Sequence, residues 1–171
     1  MKRDSAPARN ALALARRPPA RLADEIHLQK LWLAVQRTPW RSLAVLAASQ
    51  SIETLGVAQI LAQLAWRYRG QPSGVCDLRD LSMRLVDYHI REVSEMVDAG
   101  TRLFIALRSI FENPTAIPMA RQADAVVLCV AVGETSFKAA KQTIGEIGRD
   151  RIIGSIIVRT WPEEPAPTSG G

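Results

Sequence analysis

Residues 41–65 read "RSLAVLAASQSIETLGVAQILAQLA", and this stretch decides the fold. Its first eight residues form a short apolar run without alternation, the pattern of a strand covered on both faces. From about Thr54 the period changes, and Val57, Ile60, Leu61 and Leu64 fall on one face of a helix. A strand, a short loop and a helix in this order is a place where many proteins hold a phosphate, because backbone N–H groups and the helix dipole converge there. Such a loop needs small residues for close backbone approach, a lysine for charge and a hydroxyl for magnesium.

The same alternation continues outward in both directions. Before the strand, residues 22–35 place Leu28, Leu31, Trp32 and Val35 at helical spacing, with Asp24 and Glu25 in the first turn. After the helix, "GQPSG" (70–74) is a breaker and "VCDLRDL" (75–81) a strand and turn. In 83–97, Val86, Ile90, Val93 and Val97 make a helical stripe that stops at Gly100. "TRLFIALRSI" (101–110) is a third strand, "NPTAIPMARQA" (113–123) a short helical segment, and "DAVVLCVAV" (124–132) a fourth strand whose continuous apolar character demands cover on both faces. Phe137, Ala140, Ile144 and Ile147 define one more helix, and "RIIGSIIVRT" (151–160) a fifth strand. Strands alternating with helices predict a doubly wound α/β domain, a mainly parallel sheet of about five or more strands with helices on both faces. In such a sheet ligands bind beyond the carboxyl ends of the strands, so the loops after Ala48, Asp77, Leu107 and Val132 are the candidate sites.

Bulk composition agrees with one domain, since 171 residues at 47% hydrophobic content suffice for a core. Cys76 and Cys129 lie in apolar runs and are too few for a disulfide framework or a zinc site. The longest apolar run, 125–132, is too short to span a bilayer, and the N-terminus lacks an apolar core of secretory length, so a cytoplasmic chain is expected. The net charge of +5 is carried by residues 1–21, where Lys2, Arg3, Arg9, Arg16, Arg17 and Arg21 oppose Asp4 alone; the remaining 150 residues balance to zero. This places a basic, disordered arm (1–21) before a domain (22–160) and a Pro/Gly/Ser-rich disordered tail (161–171) that are neutral when taken together. The arm is either a solvated tail or an attachment to anionic lipid or an acidic partner; nucleic acid is disfavoured because no aromatic residues interleave the arginines.

The order "SLAVLAAS", "LGVAQILAQLA", "VCDLR", "ARQADAVVLCVAVGETS", "RIIGSIIV" resembles the deviant-Walker P-loop family, which includes bacterial tyrosine kinases of capsule and exopolysaccharide synthesis and the cell-division and partition ATPases. The resemblance spans roughly residues 24–160 and implies a P-loop NTPase-like fold. It also implies what is missing. Matching "QLA" (63–65) to the family's "NLA"-like stretch sets the glycine, lysine and hydroxyl triplet at Gly56, Val57 and Ala58, so the cation and the magnesium ligand are lost and Glu53 adds a negative charge to the loop. The metal-organising acidic positions fall on Val75 and Ala106, although a shift of two residues would make Asp77 the first of them. The adenine-contacting asparagine falls near Val158 or Arg159, and the tail carries no tyrosine cluster, with Tyr68 and Tyr88 inside expected helices. Where the kinases' first helix has a glutamate-arginine-arginine oligomerisation pattern, this chain has Glu25, Leu28 and Leu31.

These departures imply a pseudo-ATPase or pseudokinase without catalytic residues, cofactor or metal, acting as an accessory or scaffolding subunit in bacterial exopolysaccharide (capsule, holdfast or cellulose-type) biosynthesis. Its expected partner is a membrane polysaccharide co-polymerase or synthase or an active kinase paralogue, met through Glu25, Leu28 and Leu31. Arg16, Arg17 and Arg21 would then hold it at the inner-membrane surface, and homo-oligomerisation stays open. The alternatives are an active tyrosine autokinase regulating chain length, or a partition or cellulose-synthase-associated ATPase relative. Taken singly, Asp77 and Asp80 read as solvated residues of a strand-end turn, His27 and His89 as helix-surface histidines, and Trp32 and Trp40 as core.

Overall fold

A computed structural model describes residues 12–14 and 26–158, with side chains from Gln29 onward. The apolar run that opens the deciding stretch is β2 (Ser42–Ala47), and Leu43 through Ala48 have no accessible surface. Only a central position with helices over both faces satisfies such a strand. β2 is accordingly flanked by β4 (Arg102–Leu107) and β5 (Ala125–Ala131), both parallel to it. β3 (Ser73–Asp77) lies outside β4 and β6 (Ile152–Val158) outside β5, again parallel. The described residues thus make a six-stranded sheet in the order β1-β3-β4-β2-β5-β6, a doubly wound α/β fold whose five central and right-hand strands all run one way.

Alternate side chains of the sheet feed two cores. Leu43, Val45, Ala47, Phe104, Ala106 and Val127 face α1 (Ile26–Val35) and α2 (Thr54–Arg69). Ala44, Leu46, Ile105, Leu107, Val126 and Leu128 face α3 (Val86–Asp98), α4 (Ala116–Gln122) and α5 (Phe137–Ile147). Trp32 and Trp40 are buried as core residues, Trp40 standing edge-on to Phe104 with ring centroids 5.2 Å apart. Helix ends follow local chemistry. Gly70, at φ 62°, closes α2 in the left-handed conformation and returns its N–H to the Trp66 carbonyl at 2.9 Å. Ser136 caps α5 by accepting from the Ala139 N–H, and Pro118 sits in the first turn of α4, where its missing N–H is not needed.

Three expectations need correcting. Leu12–Leu14, inside the stretch expected to be a disordered arm, forms β1, antiparallel to β3 with Ala13 opposite Val75, and covers the outer edge of β3. The rest of the arm, with Arg16, Arg17 and Arg21, and the tail lie outside the described residues. His89 is not a surface histidine: it is 5% exposed on α3 and its Nδ1 lies 2.8 Å from the Glu92 carboxylate one turn on. The helix expected from Met83 opens as a 3-10 turn (Met83–Leu85) before α3 begins.

The packing gives a direct test. Phe104→Ala empties a site with no exposure that Trp40 leans on, and should cost about 3–5 kcal/mol in urea unfolding, whereas Leu33→Ala, 67% exposed on α1, should cost under about 0.5.

Candidate functional site

The crossover from β2 through α2 leads over one face of the sheet to β3, and the crossover from β5 through α5 leads over the other face to β6. The loops that follow β2 and β5 therefore diverge, and a crevice opens between them at the carboxyl end of the sheet. Its sides are tied by the hydroxyls of Ser49 and Thr135, 2.7 Å apart. Thr135 Oγ1 also accepts from the Ala131 N–H at 3.0 Å. The crevice measures about 440 Å³ and is lined by Ser49, Gln50, Phe111, Glu134, Ser136 and Ala139.

Beside it, where α2 begins, the chain supplies its own anion. Glu53 is the N-cap, and its Oε1 accepts from the Leu55 N–H at 2.8 Å, so one of the unpaired donors of the first turn is already satisfied. Both Glu53 oxygens also accept from Arg79 Nη1 at 2.8 Å. The same guanidinium grips Asp77 as a fork, Nε to Oδ1 at 2.8 Å and Nη2 to Oδ2 at 2.9 Å. Arg79 is thus shared by two carboxylates, one ending β3 and one opening α2, and its side chain is only 20% exposed. Hydrogen bonding from the Arg79 side chain holds the Asp77 carboxyl below its ordinary value against the opposing effect of partial burial, with the Arg79 backbone N–H and the charges of Arg79 and Arg108 adding to it. A second pair, Arg108 Nε to Asp80 Oδ1 at 2.9 Å, bridges the adjacent loops in solvent. Asp80 is exposed as expected; Asp77 is not a free solvated residue.

The residues named from sequence separate accordingly. Glu53 lies at the loop end, but Gly56, Val57 and Ala58 all fall within the first turns of α2. Ala58 is fully buried in the α2-side core and Val57 packs against it, so neither faces the crevice. A Cβ on Gly56 would meet nothing within 4 Å, so no close backbone approach demands a glycine there. The loop proper, 48–53, has no glycine, and its left-handed residue is Ser51 at φ 66°. The hydroxyl nearest the helix start is Thr54, which sequence reasoning passed over; it is fully buried and donates to the Leu107 carbonyl at 3.0 Å, pinning α2 to β4. Val75 and Ala106 are core residues on the α2 side, and Ala106 stands opposite Asp77 in the β3–β4 ladder. Leu31 is half-buried against the same core rather than free, while Glu25 and the side chain of Leu28 lie outside the described residues.

Among the described residues no group of three or more His, Cys, Asp or Glu side chains is placed to hold a metal ion, and no helix is long and apolar enough to cross a membrane. Burial pushes the thiols of Cys76 and Cys129 up to about 12, so neither is a nucleophile near neutrality. No known family model matches the sequence, and no curated protein is detectably similar to it.

The Arg79 clasp has an acid-pH signature. Because the folded state depresses the Asp77 pKa, its contribution is complete above the ordinary carboxylate value and is lost as pH falls below about 4 through the folded-state value. Asp77→Asn should lower stability at pH 7 by about 1 kcal/mol or less, since the pair is partly solvated, and should flatten that part of the acid limb. Urea midpoints from pH 7 down to pH 2.5 measure both effects.

Proposed function

We propose that this protein is a pseudo-ATPase with a P-loop-like fold, serving as an accessory or scaffolding subunit of a bacterial exopolysaccharide machine. The carrying observation is that the Glu53 carboxylate takes the place at the start of α2 where a phosphate would accept hydrogen bonds. Helix N-termini favour one anion, and here it is covalently attached.

The residues present do not fit a magnesium-bound triphosphate. Residues 48–53 contain no lysine, the nearest hydroxyl of the helix is committed to Leu107, and the available cation, Arg79, is already shared between Asp77 and Glu53. A triphosphate approaching the helix would first meet a carboxylate. What the carboxyl end of the sheet does offer is apolar surface: Phe137 is 83% exposed, Val132 68% and Phe111 40%. Exposed aromatic and aliphatic groups around a rigid crevice suit a protein partner better than a nucleotide. The partner class proposed is a membrane polysaccharide co-polymerase or synthase, or an active kinase paralogue, on the strength of the motif resemblance.

In isothermal titration with ATP and with ADP, magnesium should add no binding to what is seen without it; magnesium-dependent micromolar binding, or autophosphorylation from labelled ATP, overturns the pseudo-ATPase assignment. Phe137→Ser should leave stability within about 0.5 kcal/mol of wild type while abolishing co-purification with the polysaccharide assembly. Undiminished co-purification would remove this end of the sheet from the interface.

A further inference from the structure

The opposite end of the sheet carries a second depression that the functional proposal does not use. About 540 Å³ in volume, it lies at the amino ends of β2, β4 and β5, between the last turns of α1 and α2. Four of its lining residues are arginines, Arg37, Arg41, Arg69 and Arg102, against one carboxylate, Asp124. That carboxylate is largely spent on the fold. Its Oδ2 accepts from the backbone N–H groups of Arg41 and Ser42 at 2.8 and 2.9 Å, tying the start of β5 to the start of β2. Burial works against its ionisation, but these bonds, the Ser42 hydroxyl and the Arg41 charge outweigh it and keep the carboxyl below its ordinary value.

The cations are poorly compensated. Arg41 makes one loose, solvated pair with Asp98 at 3.8 Å. Arg102 lies over the Trp40 ring, 4.5 Å from its centroid, and its Nη1 reaches only the Gln36 amide oxygen at 3.4 Å. Arg37 and Arg69 have no carboxylate within ion-pair distance among the described residues. Burial, then the positive charge of Arg69, lowers the pKa of Arg102, so like charges crowd here. The C-termini of α1 and α2 face this region and supply roughly half a negative charge each. With Asp124 they offset about two of the four cations, and Asp98 loosely offsets Arg41, which leaves an excess between one and two. Gln36 Nε2, buried in the wall, has no hydrogen-bond partner among the described residues.

We infer that this cleft is a binding site for a small soluble ligand of the diphosphate class, held by the guanidinium groups of Arg37, Arg69 and Arg102 with the Gln36 amide as an added donor. Guanidinium forks match phosphate oxygens two at a time, and a ligand with at least two negative charges meets the excess that one monoanion cannot. The cleft volume accommodates a ligand of nucleoside-diphosphate size. Trp40, 4% exposed and already covered by Arg102, fixes the guanidinium plane and does not serve as a stacking platform.

Isothermal titration of the full-length chain with inorganic pyrophosphate at low ionic strength tests the site, with orthophosphate and citrate as companions. Pyrophosphate should bind saturably, one per chain, with orthophosphate and citrate at least ~10-fold weaker. The double variant Arg37→Gln/Arg69→Gln, at two exposed positions, should weaken pyrophosphate at least ~10-fold with an unchanged circular dichroism spectrum. The variant Arg16→Gln/Arg17→Gln/Arg21→Gln, in the basic arm, should retain binding. Absence of saturable binding to the folded chain, citrate binding as tightly as pyrophosphate, or loss of binding in the arm variant but not in the cleft variant would each overturn the proposal.

Discussion

A strand buried along its whole length on both faces cannot lie at an edge or on a one-sided sheet, and β2 imposes that constraint on everything around it. Leu43 through Ala48 expose nothing, so β4 and β5 must flank the strand and helices must cover both faces. Parallel neighbours require crossovers, and because the crossover from β2 runs to one side of the sheet and that from β5 to the other, right-handed connections put them on opposite faces. Once they do, the loops leaving β2 and β5 part company and a crevice follows at the carboxyl end. The position of the candidate site is thus a consequence of how one apolar hexapeptide is buried; its chemistry is set separately, by the loop residues.

Those loop residues place opposite charges in a chain of partners across three elements. Asp77 ends β3, Arg79 follows two residues later, and Glu53 opens α2; the guanidinium meets both carboxylates and Glu53 meets the helix. Each contact is partly solvated and individually worth little. Their arrangement nevertheless decides what the crevice can hold. The helix N-terminus has an anion, the anion has a cation, and the cation has a second anion, so an external phosphate would have to displace a preassembled set whose components cannot diffuse away. The exposed Phe111, Val132 and Phe137 nearby meet no such competition, and the proposal of a protein partner at this end rests on them.

Element order was legible because the periods are clean. The switch from a continuous apolar run to 3.6-residue spacing near Thr54, and the matching switch between Ala131 and Phe137, mark where α2 and α5 lie. Residue roles at the site were legible only where local chemistry decides them. From sequence Glu53 is only a negative charge in the loop, since glutamate is not a favoured N-cap; its grip on Arg79, 26 residues away, depends on α2 beginning beside the end of β3 and leaves no local mark. Matching by motif put Gly56, Val57 and Ala58 in the loop, whereas the helix starts at Thr54 and carries them inside, since a cap acts on backbone geometry and motif spacing does not. The burial of His89 followed from α3 packing its Val86, Val93 and Val97 stripe against the sheet, which brings position 89 round to the same face. Strand β1 was hidden by composition: three apolar residues in a basic, Pro-rich arm look too few for a strand, yet an open edge at β3 needs no more.

Charge is where summation along the chain misleads most. Residues 22–171 balance to zero, and that sum assigns the basic character to the arm alone. Folding redistributes it. The carboxylates Glu53, Asp77 and Asp80 gather with Arg79 and Arg108 at the carboxyl end of the sheet, where three negative charges meet two positive ones. Arg37, Arg41, Arg69 and Arg102 collect at the amino end, where the single lining carboxylate is occupied by backbone N–H groups. A chain that balances to zero beyond its arm therefore has one end of the sheet where acidic groups outnumber basic ones and one end left electropositive. Binding responds to the local field within roughly a Debye length of about 8–10 Å, not to the sum over the chain. The end of the sheet that a doubly wound fold ordinarily reserves for ligands is in this protein the one least suited to an anion. The end that ordinarily serves only stability holds the uncompensated cations.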